Sequence, residues 1–272
     1  MICERIKLNG MFPNVSPDAE LTSYVPENEF IKRKSVIICA GGAYSCRCRR
    51  EEEPVALALV ARGFNAFVLS YSTSEQGAHY PTQLIEASAA VSYIRRNSEK
   101  YNAVKDKIFI MGFSAGGHLA ASLGTLWNEK VIEEKLGIEY GENRPSGMIL
   151  CYPVISFEEL YEPESFFNLL GENKDEKLWK KLSLENSVGE HTSPAFIWHT
   201  LEDEGIPVES SMLFAKALRE NNIPFELHVY PTGGHGLALA NEESKMYEAD
   251  KYVNKHVQSW IELCARWIYD CV

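Results

Sequence analysis

Apolar runs of strand length alternate along the chain with stretches of helical period. Residues 35–40, 64–71, 107–112, 146–152, 194–200 and 225–230 read as strands, most of them continuously apolar. Between them, 54–62 (ended by Gly63), 81–101, the segment after Ser114, 208–221 and 244–269 read as helices. In 81–101 the residues Leu84, Ala87, Ala90, Val91 and Ile94 recur at helical spacing and form one apolar face. Continuous apolar strands separated by helices predict an α/β fold, a mostly parallel sheet covered on both faces. In such sheets a ligand site lies beyond the carboxyl ends of the strands.

The stretch 154–191 breaks the alternation. It is aromatic and charged, with Phe157, Tyr161, Phe166, Phe167 and Trp179. It reads as a small helical insertion over the end of the sheet, either a lid or a peripheral helical pair. No internal repeat, low-complexity tract or linker divides the chain, so residues 1–272 are expected to form one domain.

Composition narrows the partners. The 272 residues are 45% hydrophobic and 24% charged, ordinary for a globular chain of one large domain. The net charge of −11 argues against nucleic acid or an anionic membrane as partner. No apolar leader core follows the alternating start at residues 1–7, and no run of 18 apolar residues predicts a membrane span. Seven cysteines (Cys3, Cys39, Cys46, Cys48, Cys151, Cys264 and Cys271) follow no disulfide framework. Free thiols in a reducing cytoplasm are the simplest account. Cys46 and Cys48 lack a second ligand pair at metal-binding spacing, so no metal is expected.

The chemistry centres on Gly112-Phe113-Ser114-Ala115-Gly116, between the apolar run 107–111 and a helix-compatible segment. A serine on so tight a strand-to-helix turn presents its hydroxyl at the sheet's carboxyl end. The hydroxyl is a weak nucleophile and needs a base, which in turn needs an orienting acid. His235 follows the strand 225–230 in Gly233-Gly234-His235-Gly236, a loop able to carry its imidazole to the hydroxyl. His118 lies four residues into the helix and points away, as a support for neighbouring loops. His199 ends a strand without a glycine loop to free it. After the strand 194–200 three carboxylates compete for the acid's role: Glu202, Asp203 and Glu204. Oxyanion donors are expected at the N–H of Ala115 and in Ala40-Gly41-Gly42-Ala43-Tyr44, after the strand 35–40.

These stretches, with Arg50-Glu51-Glu52-Glu53-Pro54-Val55-Ala56 and the segment 198–208, resemble the α/β-hydrolase esterases, in the branch of acetylxylan-esterase-like and hemicellulose-deacetylating enzymes. The similarity runs in order over most of 30–265. It implies the α/β-hydrolase fold, Ser114 as nucleophile, Asp203 as acid, His235 as base, and oxyanion donors on Gly42 or Ala43 and on Ala115. Two positions depart from the family pattern. Ala43 stands where the loop usually has glycine, and Tyr71-Ser72 stands where the family often has Tyr-Arg, whose arginine would brace neighbouring loops.

The expectation is therefore a cytoplasmic serine carboxylesterase that removes acetyl and other short acyl groups from sugars such as xylo-oligosaccharides. No metal or cofactor is implied. The partner expected is a small ester or acetylated saccharide, with Phe166, Phe167 and Trp179 limiting the acyl group and offering rings to the sugar. A peptidase or formamidase would use the same three side chains and is the alternative. A non-catalytic scaffold is disfavoured because all three candidates are kept.

Overall fold

The computed structural model describes residues 1–27, 30–159, 162–246 and 252–270. The strands are β1 (Arg5–Lys7), β2 (Glu20–Tyr24), β3 (Arg33–Cys39), β4 (Asn65–Ser70), β5 (Ala103–Phe113), β6 (Gly147–Cys151), β7 (Ala195–Thr200) and β8 (Phe225–Tyr230). The helices are α1 (Glu53–Val60), α2 (Thr82–Arg96), α3 (Ala115–Leu126), α4 (Lys130–Leu136), α5 (Pro163–Leu170), α6 (Glu176–Leu182), α7 (Glu209–Glu220) and α8 (Trp260–Asp270).

One eight-stranded sheet has the order β1-β2-β4-β3-β5-β6-β7-β8. From β4 to β8 all neighbours pair in parallel, as the apolar runs predict, while β1 and β2 add antiparallel at one edge. Side-chain alternation splits the core in two. Ile37, Ile110, Leu150 and Ile197 pack with residues of α2, α3, α4 and α7 on one face. Val36, Ile38, Met111, Ile149 and Trp198 pack with α1 and α8 on the other. Because both faces are covered, these strands have no polar side, which is why they read as unbroken apolar runs. Burying each large aliphatic side chain contributes about 1.5–3 kcal/mol.

The chain runs from β3 to β4 on one side and then returns to place β5 on the other side of β3. The strand order reverses there, and the crevice opened between the carboxyl ends of β3 and β5 is where open α/β sheets bind ligands. The loop 41–44 follows β3, and Ser114 follows β5.

Several elements differ from the pattern-based expectation. β1 and β2 lie outside the predicted strands, since a three-residue strand and the half-polar Glu-Leu-Thr-Ser-Tyr carry too little apolar signal. The short helix α4 lies outside the predicted helices. α2 ends at Arg96 rather than at residue 101, where the Asn97 side chain bonds the Tyr93 carbonyl. The closing helix expected at 244–269 begins only at Trp260, after a 3₁₀ turn at Val257–Ser259. Asn254 stops it from starting earlier: its Oδ1 accepts the N–H groups of His256 and Val257, and its amide donates to Thr232. Residues 247–251 of that expected helix, Tyr161 of the aromatic stretch and Cys271 lie outside the described residues. The six described cysteines are free thiols.

Between β6 and β7 the chain carries α5, α6 and a 3₁₀ turn at Leu184–Ser187. Phe166 is only 5% exposed, seated between Phe157 and Trp179. It is therefore a core residue of this excursion and does not offer a ring to a ligand as expected. Phe167 turns outward and is 57% exposed.

Candidate active site

Ser114 occupies the turn from β5 into α3 with φ 53° and ψ −120°. A non-glycine residue held there stores about 1–3 kcal/mol of strain. The surrounding backbone holds it: the Ser114 N–H donates to the Cys151 carbonyl at 3.0 Å, and its own carbonyl accepts from Val154 and His118. The flanking glycines are required by close approach. A Cβ on Gly112 would strike the Gly116 carbonyl, and one on Gly116 the carbonyls of Cys39 and Ala40.

Three of the side chains singled out in the sequence meet at this turn. Ser114 Oγ lies 2.9 Å from His235 Nε2, and His235 Nδ1 lies 2.8 Å from Asp203 Oδ2. A buried carboxylate only accepts, so His235 Nδ1 carries the hydrogen and Nε2 is free to accept the serine proton. Asp203 has a side chain only 1% exposed. Burial pushes its carboxyl up, but the hydrogen bonds from His199 and His235, with the Ile206 N–H, outweigh that and hold it well below the usual range.

The neighbouring carboxylates face elsewhere. Asp203 Oδ1 accepts the N–H groups of Gly205 and Ile206, which turns the side chain inward. Glu202 Oε2 accepts the Gly233 N–H at 2.9 Å and so braces the His235 loop from outside. Glu204 is exposed.

The loop after β3 is also tightly held. Gly42, Ala43 and Tyr44 all have positive φ, 127°, 49° and 60°. Ala43 thus adopts the left-handed conformation despite its Cβ, at a cost of about 1–2 kcal/mol. Offsetting bonds surround it: the Gly42 carbonyl accepts from Ser45 and Cys46, and the Ala43 carbonyl accepts the Asn168 amide at 2.8 Å. The Gly41 N–H donates to Glu51, which leaves the N–H groups of Gly42 and Ala43 as the next along the loop. Ala115 begins α3, and the first N–H groups of a helix have no intrahelical acceptor.

His118 is fully buried beneath this loop. Its Nε2–H donates to the Leu182 carbonyl, and its Nδ1 accepts the Tyr44 hydroxyl at 2.8 Å. Burial pulls its imidazole down to about 4, so it is neutral. It joins the β3 loop to the end of α6, the supporting part expected of it. At the Tyr71-Ser72 departure, Arg47 donates to the Tyr71 carbonyl at 2.6 Å. Ser72 instead bonds the buried Glu86.

Two residues to which the sequence pattern assigns no part are engaged here. His199 Nε2 donates to the Ile206 carbonyl and stands 3.3 Å from Asp203 Oδ2, while its Nδ1 accepts from Ser211. Its only sequence signal is the four-residue spacing to Asp203. Glu51, 2% exposed, lies behind the loop and is taken up below.

A pocket of about 310 Å³ opens beside the acid loop, lined by Val154, Glu162, Pro163, Gly205, Ile206 and Ser210 among others. A larger one, about 1240 Å³, sits at the amino ends of β5 and β6 around Arg95, Asp106 and Arg144, remote from Ser114. Among the described residues no group of three or more His, Cys, Asp or Glu side chains could hold a metal ion, and no helix is long and apolar enough to cross a membrane.

This sheet, its reversal point and the strained serine turn define an α/β hydrolase. A family model described as BD-FAE matches residues 21–218, so the chain belongs to that family of α/β-hydrolase esterases. The dienelactone hydrolase family model matches residues 181–264. The chain is 41% identical over 238 residues to endo-1,4-beta-xylanase B of Butyrivibrio fibrisolvens, covering 86% of this chain and 36% of that protein. It is 31% identical to an acetylxylan esterase of Xylanibacter ruminicola, covering 83% of this chain and 45% of that one. It thus spans less than half the length of either curated relative. Among solved structures, the acetyl ester-xyloside bifunctional hydrolase of Caldicellulosiruptor lactoaceticus superposes with a TM-score of 0.83 at 36% identity, covering 98% of this chain and 95% of that one.

Proposed function

We propose that this chain is a serine carboxylesterase that releases short acyl groups, acetyl above all, from esters of sugars such as xylo-oligosaccharides. The observation that carries it is the continuous relay Ser114 Oγ, His235 Nε2, His235 Nδ1, Asp203 Oδ2, with steps of 2.9 and 2.8 Å. The substrate class is supported by the names of the relatives, an acetylxylan esterase and an acetyl ester-xyloside hydrolase. The free thiols suit a reducing cytoplasm.

Ser114 attacks the ester carbonyl as His235 Nε2 takes its proton. The charge that develops on the carbonyl oxygen is met by the N–H of Ala115 and by that of Gly42 or Ala43. Asp203 stays ionised, holds the imidazole in the required tautomer and stabilises the imidazolium. His235 then gives the proton to the departing sugar hydroxyl. It next draws a proton from water, which hydrolyses the acyl-enzyme and restores Ser114. No cofactor enters these steps.

The test is a substrate panel with Ser114→Ala as control. Acetylated xylo-oligosaccharides and p-nitrophenyl acetate should be hydrolysed, and an aminoacyl anilide should not. Ser114→Ala should lose roughly 10⁴- to 10⁶-fold in turnover. A serine-directed phosphonate should label Ser114 alone. Retention of more than about a tenth of the activity in Ser114→Ala would sink the nucleophile assignment, because that loss is far below what removal of a triad nucleophile costs. Preference for the anilide would transfer the chain to the peptidases.

A further inference from the structure

Behind the relay lies a buried carboxylate that the reaction steps do not use. Glu51 closes the 3₁₀ turn Arg49–Glu51 and is 2% exposed. Both of its oxygens are engaged. Oε2 accepts the Gly41 N–H at 2.7 Å, and Oε1 accepts the Tyr152 hydroxyl at 2.8 Å. Gly41 immediately precedes Gly42 and Ala43, the candidate oxyanion donors. It also packs directly on the nucleophile's turn, since a Cβ at this position would lie 3.0 Å from Ser114 Cβ.

Tyr152 follows β6 and is 2% exposed. Its hydroxyl accepts the Ala238 N–H at 2.9 Å, in the loop that carries His235. Its ring meets the His235 imidazole edge-on, with centroids 5.2 Å apart and planes at 72°. One carboxylate therefore ties together three segments far apart in sequence. Burying an ionisable group in this way costs several kcal/mol unless its oxygens are fully bonded. Burial raises the Glu51 carboxyl, against the pull of Arg50 and of the Gly41 and Tyr152 bonds.

We propose that Glu51 is a positioning residue: it sets the oxyanion-donor loop and the His235 loop at the separation the transition state requires. The proposal rests on the relay assigned above. A carboxylate is the side chain this position needs, because it must accept from an N–H on one side and an O–H on the other. A glutamine can accept from only one of them: with its oxygen on Gly41 it turns its NH₂ to Tyr152 and leaves the buried tyrosine proton without this acceptor, and with its oxygen on Tyr152 it sets N–H against N–H at Gly41, so either way one of the two ties is weakened.

The experiment compares wild type, Glu51→Gln, Glu51→Ala and Tyr152→Phe with p-nitrophenyl acetate and with a boronic-acid transition-state analogue. Deleting an oxyanion donor outright costs about 10²–10³ in kcat, so displacing one should cost roughly 10- to 100-fold in Glu51→Gln. KM should change by less than about threefold, and the boronic acid should weaken in step with kcat. Glu51→Ala should be worse than Glu51→Gln. The Glu51→Gln/Tyr152→Phe double variant should lose far less than the product of the two single losses, because both act through one network.

A Glu51→Gln enzyme with a lowered melting temperature but wild-type kcat and analogue affinity would overturn the proposal and leave Glu51 a purely structural residue. Multiplicative losses in the double variant would also overturn it. Phosphonate labelling of Ser114 in each variant keeps the two ideas apart. Wild-type turnover in Glu51→Gln with an inactive Ser114→Ala removes only this proposal. An active Ser114→Ala removes the relay assignment, and this proposal falls with it.

Discussion

The side-chain amide of Asn168 in α5 donates to the Ala43 carbonyl at 2.8 Å, pinning the excursion between β6 and β7 to the loop after β3. Asn168 is itself held on other sides, by the Ser74 hydroxyl at its Oδ1 and by His79 Nδ1 at its backbone carbonyl. The excursion is thus fastened to a loop in left-handed conformation whose amides are proposed to bind the oxyanion. Asn168→Ala should therefore lower kcat by about tenfold, less than the 10²–10³ of losing a donor itself. Steady-state kinetics with p-nitrophenyl acetate measures it, and an unchanged kcat would mean the loop keeps its shape unaided.

The acid trio gives a graded prediction. Asp203→Asn removes the acceptor that fixes the His235 tautomer and should cost about 10⁴ in kcat. Glu202→Gln keeps an oxygen for the Gly233 N–H and should stay within about fivefold of wild type, as a single bond to a bracing group is worth about 0.5–1.5 kcal/mol. Glu204→Gln should be silent. A greater loss at Glu202 than at Asp203 in the same assay would reverse the assignment.

His118 makes stability depend on pH in a defined window. Its folded value of about 4 lies below the ordinary 6.5, so the unfolded chain binds this proton more readily. The contribution is complete above pH 6.5 and is lost as pH falls from 6.5 towards 4, by about 3 kcal/mol in total. Denaturant unfolding of wild type and His118→Leu at a series of pH values checks it. The gap between the two should narrow by that amount as the solution is acidified, and a gap independent of pH would contradict it.

Substrate size is the fourth test. Phe167 is the outward ring of the excursion, next to Asn168, while Phe166 is spent in its core. Turnover of p-nitrophenyl esters should fall steeply from acetyl to butyryl and longer chains. Phe167→Ala should raise KM for acetylated xylo-oligosaccharides more than for p-nitrophenyl acetate, since sugar C–H faces pack on aromatic rings. Equal turnover of octanoyl esters would place the chain among general esterases.

Much of the fold is written in local sequence. The parallel sheet followed from runs such as 36–39 and 108–111, because a strand covered on both faces can have no polar side. The tight turn at Ser114 followed from Gly112 and Gly116, since the close approach there leaves no room for a Cβ on either side of the serine. Both signals are local: a handful of consecutive residues carries them. What only the tertiary structure decided are relations between segments distant in sequence. Three adjacent carboxylates are equivalent by residue pattern, and only the family resemblance favoured Asp203; in the structure it faces His235 because its loop turns on the N–H groups of Gly205 and Ile206. His199 and Glu51 have no role that their sequence neighbours reveal, yet His199 is buried against Asp203 and Glu51 against Gly41 and Tyr152. The edge strands β1 and β2 and the late start of α8 escaped for the complementary reason. Their apolar pattern is weak or misleading, and pairing with β4 in one case, and the capping of Asn254 in the other, overrode it.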